Sequence, residues 1–144
     1  MGATPSPRST VPRGAFVIVG DSSYFVALAD RRDRWHTDAV RIRRTVPQEF
    51  LVSDFAVAEV VSIVGNRQGG KAAQILYEYF VDETEVAFVD GRLLDEAMAL
   101  HLRYDGRLSA ADCVSVALMG REGIRDIVSF DSDFDRVRGI RRIR

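Results

Sequence analysis

A short apolar run near the start of the chain, Phe16-Val17-Ile18-Val19, passes through Gly20 and stops at the carboxylate of Asp21. Consecutive β-prone residues without alternation are typical of a strand buried on both faces, as in a parallel sheet. A helical pattern begins directly afterwards at Ser22, so this strand delivers Asp21 to the carboxyl edge of the sheet. Open α/β sheets place their ligands and their chemistry at that edge. Any group that acts together with Asp21 is therefore expected there.

Further apolar runs alternate with helical patterns along the rest of the chain. Strands are predicted at residues 50–53, 86–89 and 126–130, with a last edge strand at 139–144. Helices are predicted at 22–30, 35–45, 54–64, 71–80, 90–104 and 108–119, the third closed by Gly65 and Asn66 and the last by Gly120 and Gly123. Strands that alternate with helices predict an α/β fold with a mostly parallel sheet and helices on both faces.

The first fourteen residues differ in composition from the remainder. They hold three of the four prolines together with Gly, Ser and Thr, which predicts a disordered leader or a remnant added for expression. We expect a single folded domain over residues 15–144. The sequence contains no run of eighteen apolar residues, so no membrane span is predicted. It has one cysteine, Cys113, which cannot form an internal disulfide, so a reducing cytoplasm is the expected location. The net charge of -1 gives no global basic field for nucleic acid.

Acidic residues mark several predicted element boundaries. Asp21 and Asp131 each follow a strand, where Asp is an ordinary N-cap. Asp112 lies three residues after Ser109, so these two also approximate a capping box. Taken singly, each of these acids has a structural explanation.

Glu59 has no such explanation, because it lies in the middle of a helix that is apolar nearly all round. A helix of this kind is expected inside the protein, where an uncompensated carboxylate is very costly. We therefore predict that Glu59 meets Asp21, Asp112 and Asp131 around a divalent cation. Oxygen ligands without a His or Cys cluster favour Mg²⁺ or Mn²⁺, and such a site suits phosphodiester hydrolysis.

Four motifs that contain these acids resemble a known family, the PIN-domain ribonucleases of the VapC toxin type. The resemblance spans Phe16 to about Ile143. The motifs are the strand ending in Asp21 with Ser23 in a D-x-S position, Glu59 within the apolar helix, Leu108-Ser109-Ala110-Ala111-Asp112, and Ser129-Phe130-Asp131-Ser132-Asp133-Phe134. The last is similar to the family's T-x-D-x-D-F ending, with Ser129 in place of Thr.

The resemblance implies a three-layer α/β/α fold with a mostly parallel sheet of four or five strands, and a Mg²⁺- or Mn²⁺-dependent endoribonuclease. Asp21, Glu59, Asp112 and Asp131 would hold the metal and act in catalysis, with Asp133 as an outer or second-metal ligand. Ser23 and Ser129 would support them, Ser129 by a hydrogen bond to Asp131. The resemblance also implies a homodimer and a small antitoxin as partner, hence the toxin of a type II toxin–antitoxin pair.

Basic side chains are concentrated around the second predicted helix, and they have two interpretations. Arg31, Arg34, Arg41 and Arg44 either contact RNA phosphates or form a solvated face. Trp35, beside them, either stacks on an RNA base or belongs to the core or a dimer interface.

Two alternatives to a toxin stay open at this stage. One is a PIN-domain protein that acts as a non-toxin nuclease or as an RNA-binding protein in RNA maturation. The other is a receiver-like phosphoacceptor domain, which also has an Asp after its first strand. A receiver domain is expected to have a Lys near its last strand. The one lysine of this sequence, Lys71, lies in a mid-chain helix, which argues against a receiver.

Overall fold

A computed structural model describes residues 17–46 and 49–144. The predicted leader at residues 1–14 lies outside the described residues, as does Phe16 at the start of the first predicted strand. Within the described part of the chain, strands and helices follow one another in the predicted alternation. The boundaries of the strands and helices fix where the acidic side chains are placed.

Five strands form one sheet in the described residues, in the order β3-β2-β1-β4-β5. Every neighbouring pair is parallel, and in the centre Val19 of β1 lies opposite Leu51 of β2 and Ile127 of β4. The prediction of a mostly parallel sheet of four or five strands is confirmed. The strands are β1 (Val17–Gly20), β2 (Glu49–Ser53), β3 (Glu85–Ala87), β4 (Asp126–Val128) and β5 (Arg141–Ile143).

Six α-helices connect these strands in the described residues, and the third, fourth and sixth run further than the sequence predicted. The third continues through Gly65 and Asn66 and ends where Gly69 adopts a φ of 95°; the sixth continues through Gly120 to the left-handed Gly123. None of the described helices combines the length and the apolar character needed to cross a bilayer. The helices are α1 (Ser22–Ala29), α2 (His36–Thr45), α3 (Asp54–Gln68), α4 (Gly70–Glu83), α5 (Gly91–Arg103) and α6 (Ala110–Glu122).

The sheet separates two hydrophobic cores. Successive residues of a strand point to opposite faces, and accordingly Ile18 packs with α1, α2, α3 and α4 whereas Val19 packs with α5 and α6. The first core includes Phe25, Phe50 and Phe80, which are all buried. The molecule therefore has three layers, α/β/α, and the carboxyl ends of all five strands share one edge between the layers.

Candidate active site

The carboxyl edge of the sheet opens into a cavity of about 780 Å³ that we call the acidic cavity. The end of β1, the start of α6 and the segment after β4 all contribute to its lining. Six carboxylates line it, and five of them are the predicted site residues. The six are Asp21, Asp33, Glu59, Asp112, Asp131 and Asp133.

Asp21 lies between β1 and α1 and is only 3% exposed. Its Oδ2 accepts hydrogen bonds from the Ser23 hydroxyl at 2.6 Å, the Ser129 hydroxyl at 2.7 Å and the Ser23 amide at 3.3 Å. Burial raises the pKa of Asp21 above its usual value, and the bonds from Ser23 and Ser129 act in the opposite direction. Its Oδ1 has only a long contact, 3.5 Å from the Ser22 hydroxyl. One oxygen is therefore held firmly while the other is left open to a ligand.

Ser129 connects Asp21 to the segment that contains Asp131. Its hydroxyl donates to Asp21, and its oxygen accepts the Asp131 N–H at 3.0 Å. The expected hydrogen bond between Ser129 and Asp131 is present, and it runs from the main chain of Asp131. The Ser23 oxygen accepts the Phe130 N–H at 2.9 Å, so both serines join α1 to the end of β4.

Glu59 is exposed, and the expectation that it is buried is wrong. Helix α3 buries Ala56, Val57, Val60 and Val64 against its neighbours and leaves the side that carries Glu59 open to the cavity. An apolar composition all round a helix does not require cover all round, because only the neighbouring elements decide which side is covered. The Ser22 hydroxyl donates to Glu59 Oε1 at 3.2 Å, which places this carboxylate beside Asp21.

Asp112 lies in the first turn of α6, where the Ser109 oxygen accepts its amide N–H at 3.1 Å. Burial, and after it the charges of Asp21, Asp131 and Glu59, raise the pKa of Asp112 to about 7. The bond from Ser109 acts in the opposite direction but does not offset these effects. Neighbouring negative charge therefore adds to burial in favouring the protonated form of Asp112.

Asp131 caps a 3₁₀ turn at Ser132–Arg136, Asp133 lies within that turn, and both are half-buried. Asp131 Oδ1 accepts the Asp133 N–H at 2.9 Å, whereas Asp133 lies 3.5 Å from Arg136 Nε. In residues 17–46 and 49–144, no three acidic, His or Cys side chains are grouped closely enough to chelate one ion as they are placed. The cavity gathers the carboxylates without packing them into a closed coordination shell.

The four arginines predicted to contact RNA are absent from the described lining of the acidic cavity. All four are exposed, and Arg41 lies 3.5 Å from Asp38. Arg41 and Arg44 line a separate shallow cavity beside α2, while Arg34 lies over the indole of Trp35. Their contact with RNA phosphate stays a prediction.

Several lining residues were not predicted to belong to the site. Arg107 and Gly106 come from the loop between α5 and α6, and Phe130 from inside the fourth motif. The Phe130 ring stacks on Trp35 with centroids 5.1 Å apart and planes 3° from parallel. The position of Phe130 between Ser129 and Asp131 was the one signal in the sequence that could have placed it here.

Comparison with known proteins identifies a family and a relative that cover most of the chain. The sequence profile of the PIN domain family matches residues 18–140. The 23S rRNA-specific endonuclease VapC20 of Mycobacterium tuberculosis strains CDC 1551 and H37Rv is 28% identical over 120 residues, 82% of this chain and 92% of the relative.

Solved structures extend the likeness to three dimensions. The crystal structure of Mycobacterium tuberculosis VapC20, described as a sarcin–ricin loop cleaving toxin, matches with a TM-score of 0.79 at 26% identity, over 85% of this chain and 96% of that one. VapBC2 from Rickettsia felis, solved with a DNA fragment from its promoter, matches with a TM-score of 0.66 over 88% of this chain and 97% of that one. At 11% identity the second match concerns the fold alone.

Proposed function

The chain belongs to the PIN domain family, and from this premise we propose that it is a divalent-metal-dependent endoribonuclease, the toxin of a type II toxin–antitoxin pair. The observation that carries the proposal is the acidic cavity, in which Asp21, Glu59, Asp112, Asp131 and Asp133 line one space at the carboxyl edge of the sheet. The similarity of the chain to VapC20, over 92% of that relative's length, supports the proposal that it cleaves RNA.

The lining of the cavity fits a hard divalent cation such as Mg²⁺ or Mn²⁺. Among its described residues the ionisable groups are six carboxylates and Arg107, so the ligands on offer are oxygens. After burial, the charges of Asp21, Asp131 and Glu59 raise the pKa of Asp112, and a cation would offset this repulsion. Mg²⁺ usually keeps several bound waters, so carboxylates that do not form a closed coordination shell can still hold it, in part through those waters. We propose that Asp21, Glu59, Asp112 and Asp131 hold the cation and that Asp133 acts as an outer ligand.

When bound, the cation would supply an acidified water and a polarised phosphoryl oxygen. The protein's own groups would position the reaction. Asp21 offers its open Oδ1, since Ser23 and Ser129 fix Oδ2. Arg107 offers a guanidinium to the substrate phosphate at the rim of the cavity.

Partners form part of the same proposal. We propose a small cognate antitoxin that covers the cavity, a homodimer, and a cytoplasmic location where RNA is found. Three apolar side chains on one stripe of α5 are exposed and offer a surface that association would bury: Leu94 at 37%, Met98 at 45% and Leu102 at 81%.

Cleavage of RNA by the purified protein tests the proposal. Total RNA and intact 23S rRNA are incubated with wild type, Asp21→Asn and Asp95→Asn, in Mg²⁺ or Mn²⁺ and in EDTA. Asp95 is an exposed acid on α5 away from the cavity and serves as the matched control. We expect wild type and Asp95→Asn to cut in the presence of either cation, and Asp21→Asn and all EDTA samples to leave the RNA intact.

Equal cutting by Asp21→Asn, or cutting that survives EDTA, would show that the activity is a contaminant or that the site is misplaced. A role in RNA maturation differs from a toxin only in target and partner. Induction of the protein without its antitoxin separates the two, because a toxin arrests growth and the Asp21→Asn variant does not.

A further inference from the structure

One aromatic pair lines the acidic cavity beside the carboxylates. Trp35 and Phe130 stack almost parallel, 5.1 Å apart, and both rings are half-buried. The Arg34 guanidinium carbon lies 4.6 Å from the centroid of the indole. We propose that Arg34, Trp35 and Phe130 form a stacking column that receives a nucleobase next to the scissile phosphate of single-stranded RNA. This inference rests on the proposed function and deepens it.

Hydrogen bonds at the start of α2 hold the main chain of Trp35 in place without a ligand. Trp35 occupies the residue before α2, where its side chain makes no capping hydrogen bond; like Phe130, it packs partly against the first core. Its amide donates to Asp33 Oδ1 at 2.9 Å, and His36 Nδ1 lies 2.8 Å from the Ala27 carbonyl oxygen. The start of α2 is therefore anchored to α1, and with it the position of the indole.

Phe130 ties the same column to the carboxylates. It lies between Ser129, which donates to Asp21, and Asp131, and its amide donates to the Ser23 oxygen at 2.9 Å. Movement of the Phe130 main chain along the cavity would therefore disturb the hydrogen bonds that hold Asp21. A base that stacks here is placed at a fixed distance from the acids, which is what positioning of a scissile bond requires.

Charge explains why such a column is needed. Six carboxylates line the cavity and repel the phosphates of RNA, while Arg107 is the one basic side chain among its described lining residues. Stacking of a base on an aromatic ring or on a guanidinium plane does not depend on the phosphate charge. The column therefore supplies attraction of a kind that the acids do not cancel. Stacking needs an unpaired base, so the occupant is single-stranded RNA and not a duplex.

The chain contains one tryptophan, so intrinsic indole fluorescence reports on Trp35 alone. The full protein in EDTA is titrated with a single-stranded RNA of mixed sequence, with a duplex of the same strand, and with an abasic ribose-phosphate oligomer of equal length. We expect quenching by the single strand and little by the duplex or the abasic oligomer.

Variants test whether the rings contribute to affinity. We expect Trp35→Leu and Phe130→Leu to weaken binding of a labelled single strand by about tenfold, and Trp35→Phe, which keeps a stacking ring, to retain most of the affinity. Phe88→Leu is the matched control, since Phe88 is 70% exposed and lies outside the acidic cavity. Thermal melts of each variant exclude unfolding as the cause, and Trp35→Phe keeps the test valid if Trp35→Leu does not fold.

Three outcomes would overturn the column. They are equal quenching by the abasic oligomer, unchanged affinity in Trp35→Leu, and a Trp35→Leu effect on antitoxin binding alone, which would assign the pair to a protein interface. Cleavage by the same preparation is measured in parallel. Metal-dependent cleavage without quenching would contradict the stacking column and support the nuclease. Quenching without cleavage in either cation would contradict the nuclease and support a column that binds RNA.

Discussion

The Ser129 hydroxyl donates a 2.7 Å hydrogen bond to Asp21 Oδ2, although 108 residues separate the two in sequence. The same oxygen accepts the N–H of Asp131 at 3.0 Å. One fully buried side chain therefore orients the carboxylate after β1 and the main chain after β4. Both ends of the acidic cavity depend on it.

Substitution Ser129→Ala should destabilise the metal-free protein by about 1–3 kcal/mol, because a buried carboxylate and a main-chain N–H each lose a partner. The pKa of Asp21 should rise further, since one of the donors that lower it is removed. Urea unfolding in EDTA measures the first effect. Ser129→Thr keeps the hydroxyl and should restore most of the stability; an Ala variant as stable as wild type would contradict this role.

Asp112 should make the metal-free protein less stable as the pH rises. Its folded pKa is raised from 3.8 to about 7, so the folded state binds this proton more tightly than the unfolded state does. The resulting stabilisation is complete below about pH 4 and is lost as the pH rises to about 7. The lowered pKa values of Asp30 and Asp135 act in the opposite sense but below this window. Melting temperatures in EDTA between about pH 5 and pH 8 should therefore fall.

Asp112→Asn should reduce that pH dependence, although the raised pKa of Asp21 acts in the same sense and remains, and the control Asp95→Asn should leave the dependence unchanged. Addition of Mg²⁺ or Mn²⁺ should raise the melting temperature more at about pH 8 than at about pH 5, because the acids bind a cation only when deprotonated. A pH slope as steep in Asp112→Asn as in wild type would assign the effect to Asp21 or another group.

Glu59→Gln should separate function from stability. Because Glu59 is exposed, its substitution should change the free energy of unfolding in EDTA by less than about 0.5 kcal/mol. The Gln side chain keeps an oxygen that can accept from Ser22 but removes the charge. We expect loss of metal-dependent cleavage and of the stabilisation by cation, measured by the RNA assay and by melts with and without Mg²⁺. Unimpaired cleavage would remove Glu59 from the site.

Gly20→Ala should destabilise the protein by about 1–3 kcal/mol through overpacking. A Cβ at this position would lie 2.4 Å from Phe25 Cε2, and the Phe25 ring is confined by Phe50 and Phe80, with centroids at 5.6 and 4.8 Å. Gly120→Ala is the matched control. It adds a Cβ in α6 with nothing within 4 Å, and should stabilise by up to about 1 kcal/mol. Equal stability of the two variants would contradict this account.

The sequence predicted the sheet and the origin of each site acid well, because both depend on local signals. An apolar run that stops at Asp21 or shortly before Asp131 identifies a strand end, and parallel strands all end at one edge. The same local signals misplaced the end of α3. Gly65 lies inside that helix, where a Cβ would be 3.3 Å from the Cβ of Ala73. The glycine there allows α3 and α4 to pack closely and does not stop the helix.

Features that depend on distant neighbours could not be predicted. The exposure of Glu59 follows from which sides of α3 other elements cover, and composition carries no information on that. The stacking of Trp35 on Phe130 joins a turn before α2 to the end of β4, and no periodicity links those segments. Arg107 reaches the cavity only through the geometry of the loop between α5 and α6.

The position of β1 in the middle of the sheet has a consequence for synthesis of the protein. Its two neighbours are β2, which follows soon after it, and β4, which is translated much later. Until β4 has been made, β1 therefore has one unpaired edge. Asp21, which follows β1, lacks its bond to Ser129 until 108 further residues have been added. The acidic cavity forms only after β4 has been translated and has paired with β1, so a shorter nascent chain cannot assemble it.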